Sequence, residues 1–384
     1  MREFEGKSSF LPETVKVKTK TYQELFKDLE ERRVELRLEE WPVGRVLPVV
    51  GLKEFFGRSF YESNISASFK MGLLNEKGDL EEKTFIAVRF DSLEKPEGEG
   101  FVGFCILENE GTEQEYLQWC PQIPFFALAE DPGFTWIEKE GKREFVFNHV
   151  ALNYFYDQEK HKCPKITTVF YTDDGTHNIC HLRKLAEIPG KDNRLTDLGD
   201  GWKLLTSRPE RITGERKTDG SFKVVKQIAF SLIGPDEALN QQTIQRAYDE
   251  ATVVEGFSAE DEWAGINDSH ILPDNVQRLR LRGGVADAVP VTISIRNPFP
   301  DQKGKIISLC HRARFDDSDD GQKKVYLATI ALWDRTDHRL ILEDEVPVAT
   351  RYDFPKTKVK INSFGSPKQL EMVAFLNGLE LVVS

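Results

Sequence analysis

The chain has 384 residues, 39% of them hydrophobic and 26 of them phenylalanine, which gives it apolar mass for more than one small core and excludes a disordered composition. Its net charge of −12 opposes nucleic acid and anionic membranes unless a local basic face intervenes, and no apolar run reaches the roughly 18 residues a membrane span needs. Five cysteines, an odd number with no CxxC, fit reduced thiols better than a disulfide framework; with a polar start that lacks a signal-peptide core, they predict a cytoplasmic protein.

Residues 1–33 read as a polar lead-in followed by a helix. Thr21 and Glu24 form a capping box, and Tyr22, Leu25, Phe26 and Leu29 share one face. From residue 34 the period changes to two. "VELRL", "TFIAVRF", "FVGFCIL", "REFVFNHV" and "KITTVFYT" read as strands separated by Gly, Pro and Asp turns, so 34–188 forms a first β-rich domain. Residues 189–202, "PGKDNRLTDLGDGW", are polar and without period and read as a linker. A second β-rich domain then occupies 203–384, with a hairpin around Gly214–Gly220, helices near 236–250 and 367–377, and strands "VQRLRLR", "VPVTISIR", "KIISLCHRARF", "VYLATIALW", "RLILEDEVPV" and "LELVV". Strands follow one another as hairpins and do not alternate with helices. The expected class is therefore α+β, predominantly antiparallel β, as two β-rich domains of the sandwich kind, each with one or two packed helices.

Charge is uneven along the chain. Residues 76–144 hold 17 acidic and 7 basic side chains, whereas 275–324 hold 10 basic and 6 acidic ones. Within the basic segment Arg278, Arg280 and Arg282 alternate along one strand face, and Arg312 and Arg314 repeat the spacing. If the two strands were neighbours, five guanidinium groups would line one face, suited to phosphate, carboxylate or an acidic partner.

"HKCPKITTVFYTDDGTHNICHL" gathers His161, Cys163, His177, Cys180 and His181, side chains that bind zinc. As a helix, 177–181 would put three of them on one face. As a hairpin about Asp174-Gly175, it would separate His177 from His181 and turn Cys180 away, with Cys163 opposite the region of Ala186. The β-branched run before Asp-Gly favours the hairpin.

Other motifs fail on context. "GEGFVG" (98–103) has the letters of a dinucleotide loop but leads into a strand and carries Glu99. "DDSDDG" (316–321) begins like a calcium loop, yet Leu327 stands where an EF-hand needs glutamate, which leaves calcium only as a ligand of an acidic turn. "NDSH" (267–270) reads as a turn. Asp334, Asp337 and His338 fall at a hairpin tip, and Phe145 and Phe147 read as core.

The leading functional expectation is a non-catalytic interaction or assembly protein, one subunit of a complex. It would associate with itself or with a protein partner through complementary acidic and arginine-lined surfaces. The alternatives are a subunit that binds nucleic acid (RNA) or a phosphorylated ligand through the local basic face, and a zinc enzyme centred on 161–181. No organic cofactor is expected, and no membrane.

Overall fold

The computed structural model describes residues 20, 22–31, 37–40, 49–58, 60–92, 100–112, 114–139, 141–156, 162–216, 222–254, 262–272, 276–281, 291–294, 298–318, 321–336, 339–350 and 379–383. Helix α1 (Tyr22–Glu31) lies where the 3.6-residue pattern puts it, with Leu25 fully buried. Strand β1 (Arg37–Glu40) follows.

The first sheet comprises β2 (Val49–Val50), β3 (Phe60–Leu74), β4 (Leu80–Ser92), β5 (Phe101–Glu108), β6 (Tyr116–Trp119) and β7 (Phe126–Ala127). A short helix, α2 (Leu52–Phe56), follows β2. The second sheet is a meander of β8 (Ala129–Lys139), β9 (Lys142–Tyr156), β10 (Lys162–Thr172) and β11 (Arg183–Pro189). The third begins with β12 (Arg194–Gly199) and β13 (Trp202–Ser207). A separate hairpin, β14 (Glu210–Arg216) and β15 (Phe222–Lys226), interrupts it before β16 (Ile228–Ile233), helix α3 (Gln241–Asp249) and β17 (Thr252–Val254). In the fourth sheet β18 (Glu262–Ile271) is separated from β21 (Ile306–Ser318), β22 (Gly321–Thr336) and β23 (Arg339–Thr350) by a second inserted hairpin, β19 (Val276–Leu281) and β20 (Val291–Ser294). That hairpin lies between β1 and β24 (Leu379–Val383) in a fifth sheet, ordered β1-β20-β19-β24.

Predominantly antiparallel β structure with few helices is what the alternating segments predict. The stacking is not that of two sandwiches. Phe85, Ala87, Val102 and Phe104 of the first sheet pack with Phe145 and Phe147 of the second. The opposite face of the second sheet, with Ile137, Val146, Phe170, Ala186 and Ile188, packs on Leu195, Leu205 and Ile233 of the third, under Ile244 and Ala247 of α3. The other face of the third, with Leu204 and Phe230, packs on Ile306, Cys310, Ala331 and Trp333 of the fourth. Sheets two and three thus contribute residues to a core on each face. Their leading edges also touch in succession: β3 meets β8, β8 meets β12, β12 meets β18, and β18 meets β24. Sheets stacked face to face with successive inner edges in contact have the connectivity of a β-propeller.

Three sequence expectations need correction. Residues 189–202 are no linker: they hold the end of β11, a tight turn and strand β12, and the core beneath them is continuous from Ile137 to Ala247. Turn-formers misled here because they mark a tight turn between two packed strands, with Asn193 buried beneath it. The helix expected from 236 starts at Gln241, because the Asn240 side chain accepts from the Thr243 amide at 2.9 Å, while the carbonyls of Gly234 and Glu237 take the buried Lys203 ammonium. "NDSH" is not a turn but part of β18, where the register slips at Asn267 and Ser269 is buried against Ser308, with 2.7 Å between hydroxyl oxygens. The helix expected at 367–377 lies outside the described residues.

The outer edge of β11 is covered by α3. Gln241 pairs its side-chain amide with both backbone groups of Glu187: Oε1 accepts from the Glu187 N–H at 2.8 Å, and Nε2 donates to the Glu187 carbonyl at 3.1 Å. No helix among the described residues is long and apolar enough to cross a membrane.

Candidate functional site

Where the inner edges of the first three sheets meet, charge replaces the apolar core. Arg89 and Asp91 stand near the end of β4, Glu130 and Asp131 at the start of β8, and Lys191 and Asp192 in the turn between β11 and β12. The Arg89 guanidinium reaches three carboxylates: Asp91 at 3.1 Å, Glu130 at 2.8 Å and Asp131 at 3.7 Å. Lys191 Nζ bridges the last two, at 2.7 Å to Glu130 and 2.9 Å to Asp131. Asp192 pairs with Arg208 at 2.5 Å, and Arg194 Nη2 donates to the Asp131 carbonyl at 3.1 Å.

Local backbone explains these positions. Between Glu130 and Gly133 the β8–β9 register slips, so Asp131 and Pro132 together oppose the single residue His149. Asp131 takes a left-handed φ of 49°, a conformation aspartate tolerates at a cost of about 1 kcal/mol. The bulge re-aims its side chain toward Arg89, as bulges do beside functional sites. Gly100 has no side chain because a Cβ there would lie 2.5 Å from the Asp91 carboxylate, and a Cβ on Gly133 would lie 2.4 Å from Arg194 Nη1. That Nη1 is buried and makes no hydrogen bond among the described residues.

Burial alone would drive the Lys191 ammonium toward neutrality. The carboxylates of Asp131, Asp192 and Glu130 outweigh it and hold the amine charged well above its usual range. Arg89 follows the same logic, with desolvation opposed by Asp131, Glu130 and Asp91. Across Arg89, Lys191, Asp91, Glu130 and Asp131 there are two cations against three carboxylates.

The arginines singled out in the sequence do not form one face. Arg278 and Arg280 lie on β19 of the fifth sheet, whereas Arg312 and Arg314 lie on β21 of the fourth; Arg282 is outside the described residues. Arg312 is 1% exposed and grips Glu345 with two hydrogen bonds, Nε to Oε1 at 3.1 Å and Nη2 to Oε2 at 2.6 Å. Its charge is spent inside the protein. The clustering expectation fails because the hairpin carrying Arg278 and Arg280 leaves its sequence neighbours for another sheet.

The histidine–cysteine stretch is the expected hairpin, β10 antiparallel to β11, with a 3-10 turn at Ile179–His181. His161 lies outside the described residues, and Cys163 pairs with Phe155 of β9, not opposite the region of Ala186, which faces Phe170. His177 and His181 each take a different acid, Asp173 at 2.9 Å and Asp174 at 3.0 Å, and the Cys180 thiol contacts the Gln122 carbonyl at 3.8 Å. Among the described residues no three His, Cys, Asp or Glu side chains are grouped to hold a metal. The acidic turn at Asp319–Asp320 and the tip at Asp337–His338 lie outside the described residues. "GEGFVG" leads into β5, not a helix, and Phe145 and Phe147 are fully buried.

None of the five clustered charges was singled out from sequence. The available signal was "AEDPG", an acidic pair followed by Pro-Gly inside a strand-forming stretch, which marks a bulge, together with the charged turn "PGKDNR" taken for a linker.

The fold and the charged centre together describe a multi-sheet β protein with a polar site at its inner edges. No family model matches the chain, and no curated protein matches it. Solved structures do. A mannose phosphorylase from Leishmania mexicana, in complex with phosphate, is similar over 88% of this chain and 81% of its own, with 16% identity and a TM-score of 0.54. A GDP-Man-dependent mannosyltransferase from the same organism is similar over 89% and 82%, with 17% identity and a TM-score of 0.51. At these identities the likeness is one of fold. The expectation of a non-catalytic complex subunit is corrected by this finding, since both structures of this fold are enzymes.

Proposed function

We propose that the protein is an enzyme of sugar transfer, moving a mannose-type glycosyl group to or from phosphate or a phosphorylated donor. The observation that carries this reading is the bridge in which Arg89 and Lys191 share Glu130 and Asp131 at the inner edges of the sheets. Glycosyl transfer needs carboxyl groups to move a proton and to face the positive charge that develops at the sugar's anomeric carbon. Transfer to phosphate also needs cations to hold the anion. In the phosphorolytic direction the glycosidic C1–O bond breaks, a C1–O bond to phosphate forms, and the leaving oxygen takes a proton.

The cluster suits that proton delivery. An incoming phosphate competes for Arg89 and Lys191 and adds negative charge beside Glu130 and Asp131. Both effects raise a carboxyl group's affinity for a proton. Substrate binding would thereby convert one of the two from ion-pair partner to acid. The buried Arg194 Nη1, a donor with no acceptor among the described residues, supports a ligand oxygen at this end of the site.

The test is incubation with a mannooligosaccharide and inorganic phosphate, assayed for mannose 1-phosphate, with GDP-mannose as the second donor. Turnover is expected, and Asp131→Asn should lower kcat/KM by about 10²-fold or more, the usual scale for a lost acid or base. No mannosyl transfer from either donor, or full activity in Asp131→Asn, would refute the reading.

A further inference from the structure

We propose that Asn193, which lies outside the charge cluster, is the positioning residue that fixes Lys191 against Glu130 and Asp131; the inference rests on the sugar-transfer reading of that cluster. Asn193 is completely buried, an unusual place for an amide, and it sits two residues beyond the lysine. Its Nδ2 donates to Thr168 Oγ1 at 3.0 Å and to the Pro189 carbonyl at 3.0 Å, and its Oδ1 accepts from the Arg208 N–H at 3.1 Å. Its own carbonyl accepts from Asn148 Nδ2 at 3.3 Å. One side chain thus ties the turn to β10 and to the end of β13, while its backbone ties it to β9. Thr168 Oγ1 closes the loop by donating to the Gly190 carbonyl at 3.0 Å.

Lys191 is therefore held between two anchored points, Gly190 and Asn193. The backbone between them has little intrinsic preference for this shape, because Gly190 and Asp192 both take left-handed φ values, 94° and 61°. Without the tie such a turn relaxes. The lysine's contacts at 2.7 and 2.9 Å tolerate little relaxation, since a shift near 1 Å takes both beyond hydrogen-bond range. Positioning errors of that size are what cost catalysis most when they arise outside the reacting groups.

The test reads the lysine directly. An ammonium locked between two carboxylates resists acylation, whereas a released amine reacts. Wild type, Asn193→Ala, Thr168→Val and Thr168→Ser are treated with N-hydroxysuccinimidyl acetate at pH 9. Acetylation of Lys191 is followed by peptide mass spectrometry, with the exposed Lys53 as internal standard. Lys191 should acetylate at least tenfold faster in Asn193→Ala and Thr168→Val, and at the wild-type rate in Thr168→Ser, which keeps the hydroxyl. In the transfer assay the KM for phosphate should rise about tenfold in the first two variants while that for the sugar stays within twofold. Thr168→Val is nearly isosteric and decides the matter if Asn193→Ala fails to fold. A Lys191 rate within twofold of wild type in a folded variant would overturn the inference. An inactive wild type would count against the proposed function alone, since the acetylation rates still judge the role of Asn193.

Discussion

His149 lies opposite the bulge that carries Asp131, and its ring is sealed between Phe126, 4.6 Å away, and Tyr171, 5.5 Å away. Burial pushes its pKa down to about 4, against a smaller upward pull from the Val150 backbone and Glu187. The folded state therefore disfavours the imidazolium. The stability this provides is complete above pH 6.5 and is lost as the pH falls toward 4, to an extent of about 3 kcal/mol. The gap between the urea midpoints of wild type and His149→Phe should be constant above pH 6.5 and should shift against the wild type as the pH falls toward 4, because only the wild type takes up a proton on unfolding there; a gap that stays constant down to pH 4 would show that the histidine does not set the pH dependence. A second prediction concerns Arg312 and Glu345, a buried pair in which Glu345 Oε1 also accepts from Thr329 at 2.6 Å. Glu345→Gln should cost about 3–5 kcal/mol by stranding a buried guanidinium charge, whereas the double change Arg312→Met, Glu345→Leu should recover most of that in the same urea titration. At this scale the sequence was least legible. Arg312 looked like a surface cation because alternation along a strand tells only which residues share a face, and nothing about what covers that face. Asp131 and Lys191 were invisible because they belong together only after three sheets meet.

Elements were far more legible than residues. Hairpins around Asp174-Gly175 and Gly214–Gly220, the six late strands and the first helix all follow from period and turn chemistry. The linker and turn failures share one cause: turn-forming residues were read without knowing that the strands beside them would be needed in the core. "PGKDNRLTDLGDGW" became a strand because Leu195 and Leu198 are needed in the cores on either side of β12. Close packing between elements also sets a sharp test. Gly103 on β5 faces Trp119 of β6, and a Cβ there would lie 2.4 Å from the indole. Trp119 is 2% exposed and cannot retreat, so Gly103→Ala should destabilise by about 1–3 kcal/mol in thermal or urea unfolding. Asn240→Ala should cost α3 about 1 kcal/mol by freeing the Thr243 amide, read in the same way.

For the whole molecule, the consequence of stacking in series is that the second and third sheets are each stabilised by two neighbours, while the fifth depends on strands drawn from distant parts of the chain. Removing residues 379–384 takes away the strand that pairs with β19 and touches β18. Hydrogen exchange should then accelerate across 276–294 while the second and third sheets stay protected; unchanged exchange in that segment would mean β24 adds nothing to the sheet. Overall architecture was only half legible, because antiparallel alternation fixes what a strand is and leaves open how sheets are arranged. The clasp of Gln241 on Glu187 has a different consequence, at the molecule's margin. A strand at a sheet's rim offers unpaired amides and carbonyls to any passing chain. Here one glutamine imitates the next peptide group and withdraws both backbone groups of Glu187 from offer, which blunts the rim of the second sheet at its fourth strand.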